Sequence, residues 1–97
     1  MQIIFLPSTI ADLRWFRRYY QTVFPEGKSG AKVQYARARH ALLAFPQAGH
    51  EVEGEAPMRE LHIPQTAFSL VYFIERDSII VTRLLDSRAL RPQKLRL

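Results

Sequence analysis

The last third of the chain constrains the fold most, because two β-rich runs follow each other across a polar corner. Residues 68–75 are predicted to form a strand whose middle is apolar on both faces, which is typical of a strand that lies inside a sheet. Residues 76–78 supply the corner, although without a glycine. Residues 79–85 are predicted to return antiparallel, and alternation along this strand predicts that Arg83 shares a face with Val81.

A short strand and a helix are predicted upstream of this hairpin. Residues 2–6 are apolar and stop at a proline, which favours a strand over a helix. Thr9 and Asp12 then stand at capping-box spacing, and apolar residues recur at helical intervals over residues 9–23. The start of the chain therefore predicts one strand followed by one amphipathic helix.

A second helix, predicted over residues 30–45, carries two apolar stripes. One stripe consists of Tyr35, Ala38, Leu42 and Phe45, and the other of Val33, Ala36, His40 and Leu43. Two stripes imply two buried contacts. We therefore expect one stripe to meet the sheet and the other to meet the first helix, with His40 as a packing residue.

Residues 58–63 complete the pattern as a strand bounded by prolines. The predicted order is β-α-α-β-β-β, an α+β fold in which an αα-hairpin packs on one face of a small antiparallel sheet. We expect a single domain over residues 1–92 and a basic C-terminal tail over residues 93–97. The sheet face opposite the helices is left open, which usually indicates a macromolecular partner.

Composition excludes several kinds of site. The chain has no cysteine, which removes disulfides, thiolate nucleophiles and cysteine-based metal centres. In the acidic loop over residues 47–57, His50 stands among three glutamates without other clustered ligands, so we expect no metal and no other cofactor.

No run approaches about 18 apolar residues and no signal sequence is evident. We expect a soluble, cytoplasmic protein without a membrane partner.

The net charge of +5 is unevenly distributed along the chain. The segments 1–46 and 83–97 carry +5 and +4, whereas the segment 47–60 carries −3. A basic ending attached to a strand is typical of a surface that binds phosphate or an acidic peptide, although basic residues also simply solvate a surface.

One reaction is compatible with the residues present, the cleavage of RNA by its own 2′-hydroxyl. That reaction needs a base near the hydroxyl and cations at the phosphate. Arg59, Arg83 and Arg88 are the candidate cations and His62 is the candidate base. Strand alternation leaves open whether His62 faces the same way as the arginines.

Four short motifs span nearly the whole chain in a characteristic order. They are Leu-Leu-Ala-Phe-Pro-Gln-Ala-Gly at 42–49, Arg-Glu-Leu at 59–61, Leu-Val-Tyr at 70–72 and Ile-Ile-Val-Thr-Arg-Leu-Leu-Asp-Ser-Arg-Ala-Leu-Arg-Pro at 79–92. In this order and spacing the chain resembles the RelE/ParE superfamily of bacterial toxins from type II toxin–antitoxin pairs. The superfamily contains ribosome-dependent messenger-RNA endonucleases and ParE-like proteins that poison DNA gyrase.

Departures from the nuclease pattern distinguish these two branches. The resemblance implies two marks of a RelE-like nuclease: an arginine directly before Leu-Val-Tyr and a tyrosine near the C-terminus. This chain has Ser69 at the first position and no tyrosine after Tyr72. The 59–61 motif and the ending of the 79–92 motif look more like ParE. The resemblance therefore implies a gyrase poison that inhibits growth. The alternatives are a RelE-like messenger-RNA endonuclease acting on ribosomes and a non-toxic basic domain that binds nucleic acid or protein.

The resemblance also implies a cognate antitoxin whose flexible segment wraps the toxin. Two features of the residues fit such a partner independently. Trp15 and Tyr19 widen the apolar side of the first helix beyond the roughly 100° that one contact needs, so either a second helix or a partner should cover them. Either Val71 and Phe73 or Phe68 and Tyr72 should face the open side of the sheet. The residues predicted to bind the antitoxin are Trp15, Tyr19, Val71, Phe73 and Arg83.

The basic end of the chain is expected to contact the target. The predicted target-binding residues are Arg83, Arg88, Arg91 and Lys94. With gyrase as the target we predict no catalytic residue. With messenger RNA as the target, the catalytic set would be Arg59, His62, Arg83 and Arg88.

Overall fold

The computed structural model of the chain describes residues 1–88. Two helices and five strands follow in the order β1 (Gln2–Phe5), α1 (Ile10–Arg18), α2 (Lys28–Ala44), β2 (His50–Glu51), β3 (Arg59–His62), β4 (Phe68–Glu75) and β5 (Ser78–Asp86). A π-helical segment, Tyr19–Val23, continues α1 to the predicted end of the first helix. Arg91 and Lys94 lie outside the described residues.

The five strands form one sheet in the order β1-β5-β4-β3-β2. β4 lies in the middle and pairs antiparallel with β3 and β5, as predicted. β1 pairs in parallel with β5, which the long stretch of chain between these two strands allows. The α+β fold with its helix pair on one face is confirmed, although the sheet is mixed and has β2 as an additional short strand.

A β-bulge changes which residues of β5 face the helices. Tyr72 lies opposite Val81, but its neighbour Val71 lies opposite Arg83, so Thr82 is an extra residue on β5. An extra residue reverses the alternation beyond it. Val81 is therefore buried under the helices while Arg83 is exposed on the other face. The prediction that Arg83 and Val81 share a face was wrong.

The core lies between the sheet and the two helices. Its fully buried apolar side chains are Leu42, Ile63, Phe68, Leu70, Tyr72, Ile79 and Val81. α1 contributes Phe16, whose ring makes an edge contact with Phe68 at a centroid distance of 4.8 Å. Because a fully buried large apolar side chain contributes about 1.5–3 kcal/mol, this layer is the main source of stability.

Tyr72 fastens the chain that leaves α2 to the centre of the sheet. Its hydroxyl donates to the carbonyl of Pro46 (2.7 Å) and accepts the backbone N–H of Gly49 (2.8 Å). A Cβ on Gly49 would lie 2.7 Å from that hydroxyl oxygen. A glycine at this position therefore lets the loop approach the tyrosine closely enough to form both hydrogen bonds.

Only one of the two stripes of α2 is buried, and its last predicted member, Phe45, follows the end of the helix and is 71 % exposed. Ala31, Gln34, Ala38 and Leu42 face the core, and Tyr35 lies at its border. The second stripe, Val33, Ala36, His40 and Leu43, is exposed. The prediction that it packs against the first helix, with His40 inside, was wrong, because one sector of α2 makes the contacts with both the sheet and α1.

Candidate partner-binding surfaces

β5 extends beyond the end of β1, and α1 lies along the edge that β1 leaves open. Ser8 donates its hydroxyl to the carbonyl of Thr82 (2.7 Å), and Asp12 Oδ2 accepts the backbone N–H of Leu84 (2.9 Å). No side chain caps the start of α1. The capping-box prediction for Thr9 and Asp12 was wrong, because the strand edge offers Asp12 other donors.

Asp12 also holds Arg83 in a two-pronged ion pair. Arg83 Nε donates to Oδ2 at 2.7 Å and Nη2 donates to Oδ1 at 3.0 Å. Hydrogen bonding to this carboxylate raises the pKa of the Arg83 guanidinium. About half of the Arg83 side chain remains exposed, but its Nε and Nη2 groups already donate to Asp12.

Asp86 gathers four donors at the end of β5. Arg88 donates from Nε (2.8 Å), Nη2 (2.6 Å) and its backbone N–H (3.0 Å), and Trp15 donates from Nε1 (2.9 Å). These bonds, those from the Arg88 side chain above all, lower the pKa of Asp86 to about 2. We call the contacts of Asp12 with Arg83 and Leu84, together with those of Asp86 with Trp15 and Arg88, the α1–β5 seam.

The aromatic flank of α1 is partly covered by this seam. The guanidinium carbon of Arg88 lies 4.1 Å from the centre of the Tyr19 ring, within cation–π range. Tyr19 in turn makes an edge contact with Trp15 at 5.9 Å. Part of the cover for Trp15 and Tyr19 thus comes from the end of β5 and not from either of the two expected sources, a second helix or a partner, and Trp15 remains 38 % exposed.

The other predicted antitoxin-binding residues lie on the open face of the sheet. Val71 and Arg83 are direct neighbours across β4 and β5, and Phe73 lies opposite Ile80. Within residues 1–88 both helices pack on the opposite face. The predicted set therefore divides between two surfaces. Val71 and Phe73 lie on the open sheet face, Trp15 and Tyr19 lie at the seam, and Arg83 belongs to both, because it lies beside Val71 and binds Asp12.

The structure does not bring the four candidate nuclease residues together. Arg59 is on the helix-covered face, where it donates to the carbonyls of Gly49 (2.8 Å) and Gln47 (3.3 Å). His62 is on the open face beside Ser69, with 3.5 Å between Nδ1 and Oγ. Arg83 and Arg88 belong to the α1–β5 seam. Each arginine thus has a local structural role.

Sequence reasoning missed the exposed side of α2 as a surface. Its central residues are the second stripe, of which Val33 is 48 % and Leu43 is 43 % exposed. α2 has four Lys or Arg residues and no Asp or Glu. The two-stripe pattern was the signal, because it showed that α2 has more apolar surface than one contact buries.

Two kinds of site have no support in the part of the chain that the structure describes. No group of three His, Cys, Asp or Glu side chains there could hold a metal ion. Neither α1 nor α2 is long and apolar enough to cross a membrane.

Comparisons with known proteins bear on the fold. No protein-family model and no curated protein matches the chain. A chain in the solved structure of the chromosomal ParDE TA system from P. aeruginosa superimposes with a TM-score of 0.64 and 21 % sequence identity, over 87 % of this chain and 92 % of that one. The chain therefore shares its fold with a chain of that ParDE structure, in agreement with the resemblance of its sequence motifs.

Proposed function

We propose that the chain is the toxin of a type II toxin–antitoxin pair, and that in the bacterial cytoplasm it poisons DNA gyrase in the manner of ParE. The observation that carries this proposal is the fold shared with a chain of a ParDE toxin–antitoxin system over most of both lengths. The ending of the 79–92 motif looks more like ParE than like RelE, and this supports gyrase, not the ribosome, as the target.

The positions of the candidate nuclease residues support action by binding. Cleavage of RNA by its own 2′-hydroxyl needs a base and a cation around one phosphate. Arg59 and His62 lie on opposite faces of the sheet, and Arg83 and Arg88 each already bind an aspartate. Ser69, where the resemblance implies an arginine for a nuclease, is buried and neutral.

The target contacts that we propose are Arg83, Arg88, Arg91 and Lys94. Arg83 and Arg88 are held in fixed directions by Asp12 and Asp86, and both remain about half-exposed. An acidic or phosphate group of the target would accept hydrogen bonds from the exposed N–H groups of these two arginines. The proposed antitoxin contacts are Val71, Phe73 and Arg83 on the open sheet face, with Trp15 and Tyr19 at the seam.

A supercoiling assay tests the target. Purified chain added to gyrase, ATP and relaxed plasmid is expected to block supercoiling and to accumulate cleaved plasmid. The control is the same chain added to ribosomes that are translating a defined messenger RNA. Unaffected supercoiling together with cuts in the messenger RNA would identify a RelE-like nuclease, and harmless expression of folded protein would exclude both toxin activities.

The antitoxin is tested by co-expression with the product of the adjacent reading frame. Growth inhibition by the chain alone is expected to be relieved when that product is present, and the two proteins are expected to co-purify. Val71→Asp with Phe73→Asp should weaken the complex, because charges would then face the apolar segment of the antitoxin. A complex of unchanged affinity would remove the open sheet face from the proposed interface.

A further inference from the structure

We infer that the outward side of α2 binds an acidic amphipathic helix of a partner protein. The surface consists of Val33, Ala36, His40 and Leu43 with the bordering cations Lys32 and Arg37, and we call it the α2 outward face. It is separate from the seam and from the open sheet face. The inference stands on α2 alone and does not depend on gyrase being the target.

The apolar part of the face has the spacing that a partner helix needs. Val33, Ala36, His40 and Leu43 follow one another at intervals of three or four residues, so they form one stripe about 80° wide along α2. Val33 and Leu43 are nearly half-exposed at its two ends. Helices recognise one another through such rows of side chains, which enter the grooves of the facing helix.

The charge of the face specifies the partner's chemistry. Lys32 borders the stripe on one side and Arg37 borders it on the other. No carboxylate within residues 1–88 pairs with either cation. A helix with glutamates or aspartates on both sides of an apolar row would therefore match this face in shape and in charge.

A second copy of the chain fits the face poorly. Two α2 outward faces packed together would bring Lys32 and Arg37 of both copies into one interface, with no acidic residue on either helix. Packed helices lie about 8–10 Å apart, which is close to the Debye length of about 8 Å at physiological ionic strength. The repulsion would be only partly screened.

Nucleic acid fits less well than a helix. Phosphates would satisfy Lys32 and Arg37, because such contacts supply most of non-specific binding. They would leave Val33 and Leu43 facing a charged and hydrated backbone. The apolar centre between two basic borders therefore favours a protein helix.

The test measures binding of the intact chain to a designed peptide by fluorescence anisotropy. The probe is a helical peptide of about 18 residues, long enough to be helical in water, with an apolar leucine row and glutamates on both sides. The counter-probe has every glutamate replaced by lysine. We expect binding of the acidic peptide alone, with amide chemical-shift changes concentrated in α2.

Two double variants locate the contact. Val33→Ser with Leu43→Ser should weaken peptide binding roughly tenfold or more, because the apolar row loses its partners. Lys32→Glu with Arg37→Glu should also weaken it. The matched control is Arg14→Glu with Arg18→Glu, which makes the same change in net charge on the exposed side of α1 and should alter binding less than about twofold.

Three results would overturn the inference. The first is equal binding of the acidic and basic peptides, or none of the acidic one. The second is equal weakening by the α1 control, since the attraction would then be general. The third is tight binding of a 20-base-pair duplex that survives the Val33 and Leu43 substitutions but not those of Lys32 and Arg37, which would assign the face to phosphate.

Discussion

The α1–β5 seam and the α2 outward face both present arginines or lysines beside apolar side chains, yet they differ in what the chain provides for them. At the seam, Arg83 and Arg88 each donate two side-chain hydrogen bonds to an aspartate. On the α2 outward face, Lys32 and Arg37 have no carboxylate partner in residues 1–88.

This difference separates cations that an aspartate of the chain holds in place from cations that have no carboxylate partner in the described residues. The Asp12–Arg83 pair closes the strand edge beyond β1, because Asp12 also accepts the N–H of Leu84. Removing a seam residue should therefore lower stability first. Removing a cation from the α2 outward face should alter binding and leave stability unchanged.

The largest expected contrast is between two adjacent leucines of α2. Leu42 is fully buried and Leu43 is 43 % exposed. Leu42→Ala should lower the free energy of unfolding by about 2–5 kcal/mol, because it leaves a cavity in the core, whereas Leu43→Ala should lower it by less than about 1 kcal/mol. Urea unfolding of both variants checks this, and equal losses would contradict an outward-facing stripe.

Asp12→Ala should have the next largest effect. It removes the acceptor of Arg83 and leaves the partly buried N–H of Leu84 unpaired, at a cost of about 1–3 kcal/mol. Asp12→Asn is the matched control, since its amide oxygen can still accept the N–H of Leu84, and it should lose less. If Asp12→Ala unfolds at the same urea concentration as the unchanged chain, the seam is not structural.

Asp86 should make part of the stability depend on pH. Its pKa is lowered from 3.8 to about 2 in the folded chain, so its ionised form binds Arg88 and Trp15 while the unfolded chain takes up a proton at higher pH. The contribution is complete above about pH 4 and is lost as the pH falls toward 2. Thermal unfolding followed between pH 5 and pH 2 should show a steeper decline for the unchanged chain than for Asp86→Asn, and parallel curves would contradict this assignment.

The smallest expected effect on stability is that of Lys32→Glu with Arg37→Glu. Both side chains are exposed, so the free energy of unfolding should change by no more than about 0.5 kcal/mol. The same variant should lose binding to the acidic helical peptide. A large loss of stability would show that these cations have partners that hold the fold together.

The local sequence pattern predicted the helices and the longer strands of the fold but not the contacts of the α1–β5 seam. The apolar middle of β4 predicted a central strand, and its predicted limits, Phe68–Glu75, are those observed. The bulge at Thr82 has no such signal, since it depends on how β4 and β5 pair. Asp12 and Arg83 are 71 residues apart, and only the folded sheet edge brings them together.

Titration of gyrase with the chain tests the central claim, that the protein acts by binding. The fraction of cleaved plasmid should rise with the amount of added chain and level off once the chain exceeds gyrase. Messenger RNA on translating ribosomes should stay intact at the same concentrations. The contradicting result is normal supercoiling at a large excess of chain, with messenger RNA cut by amounts of chain well below the number of ribosomes.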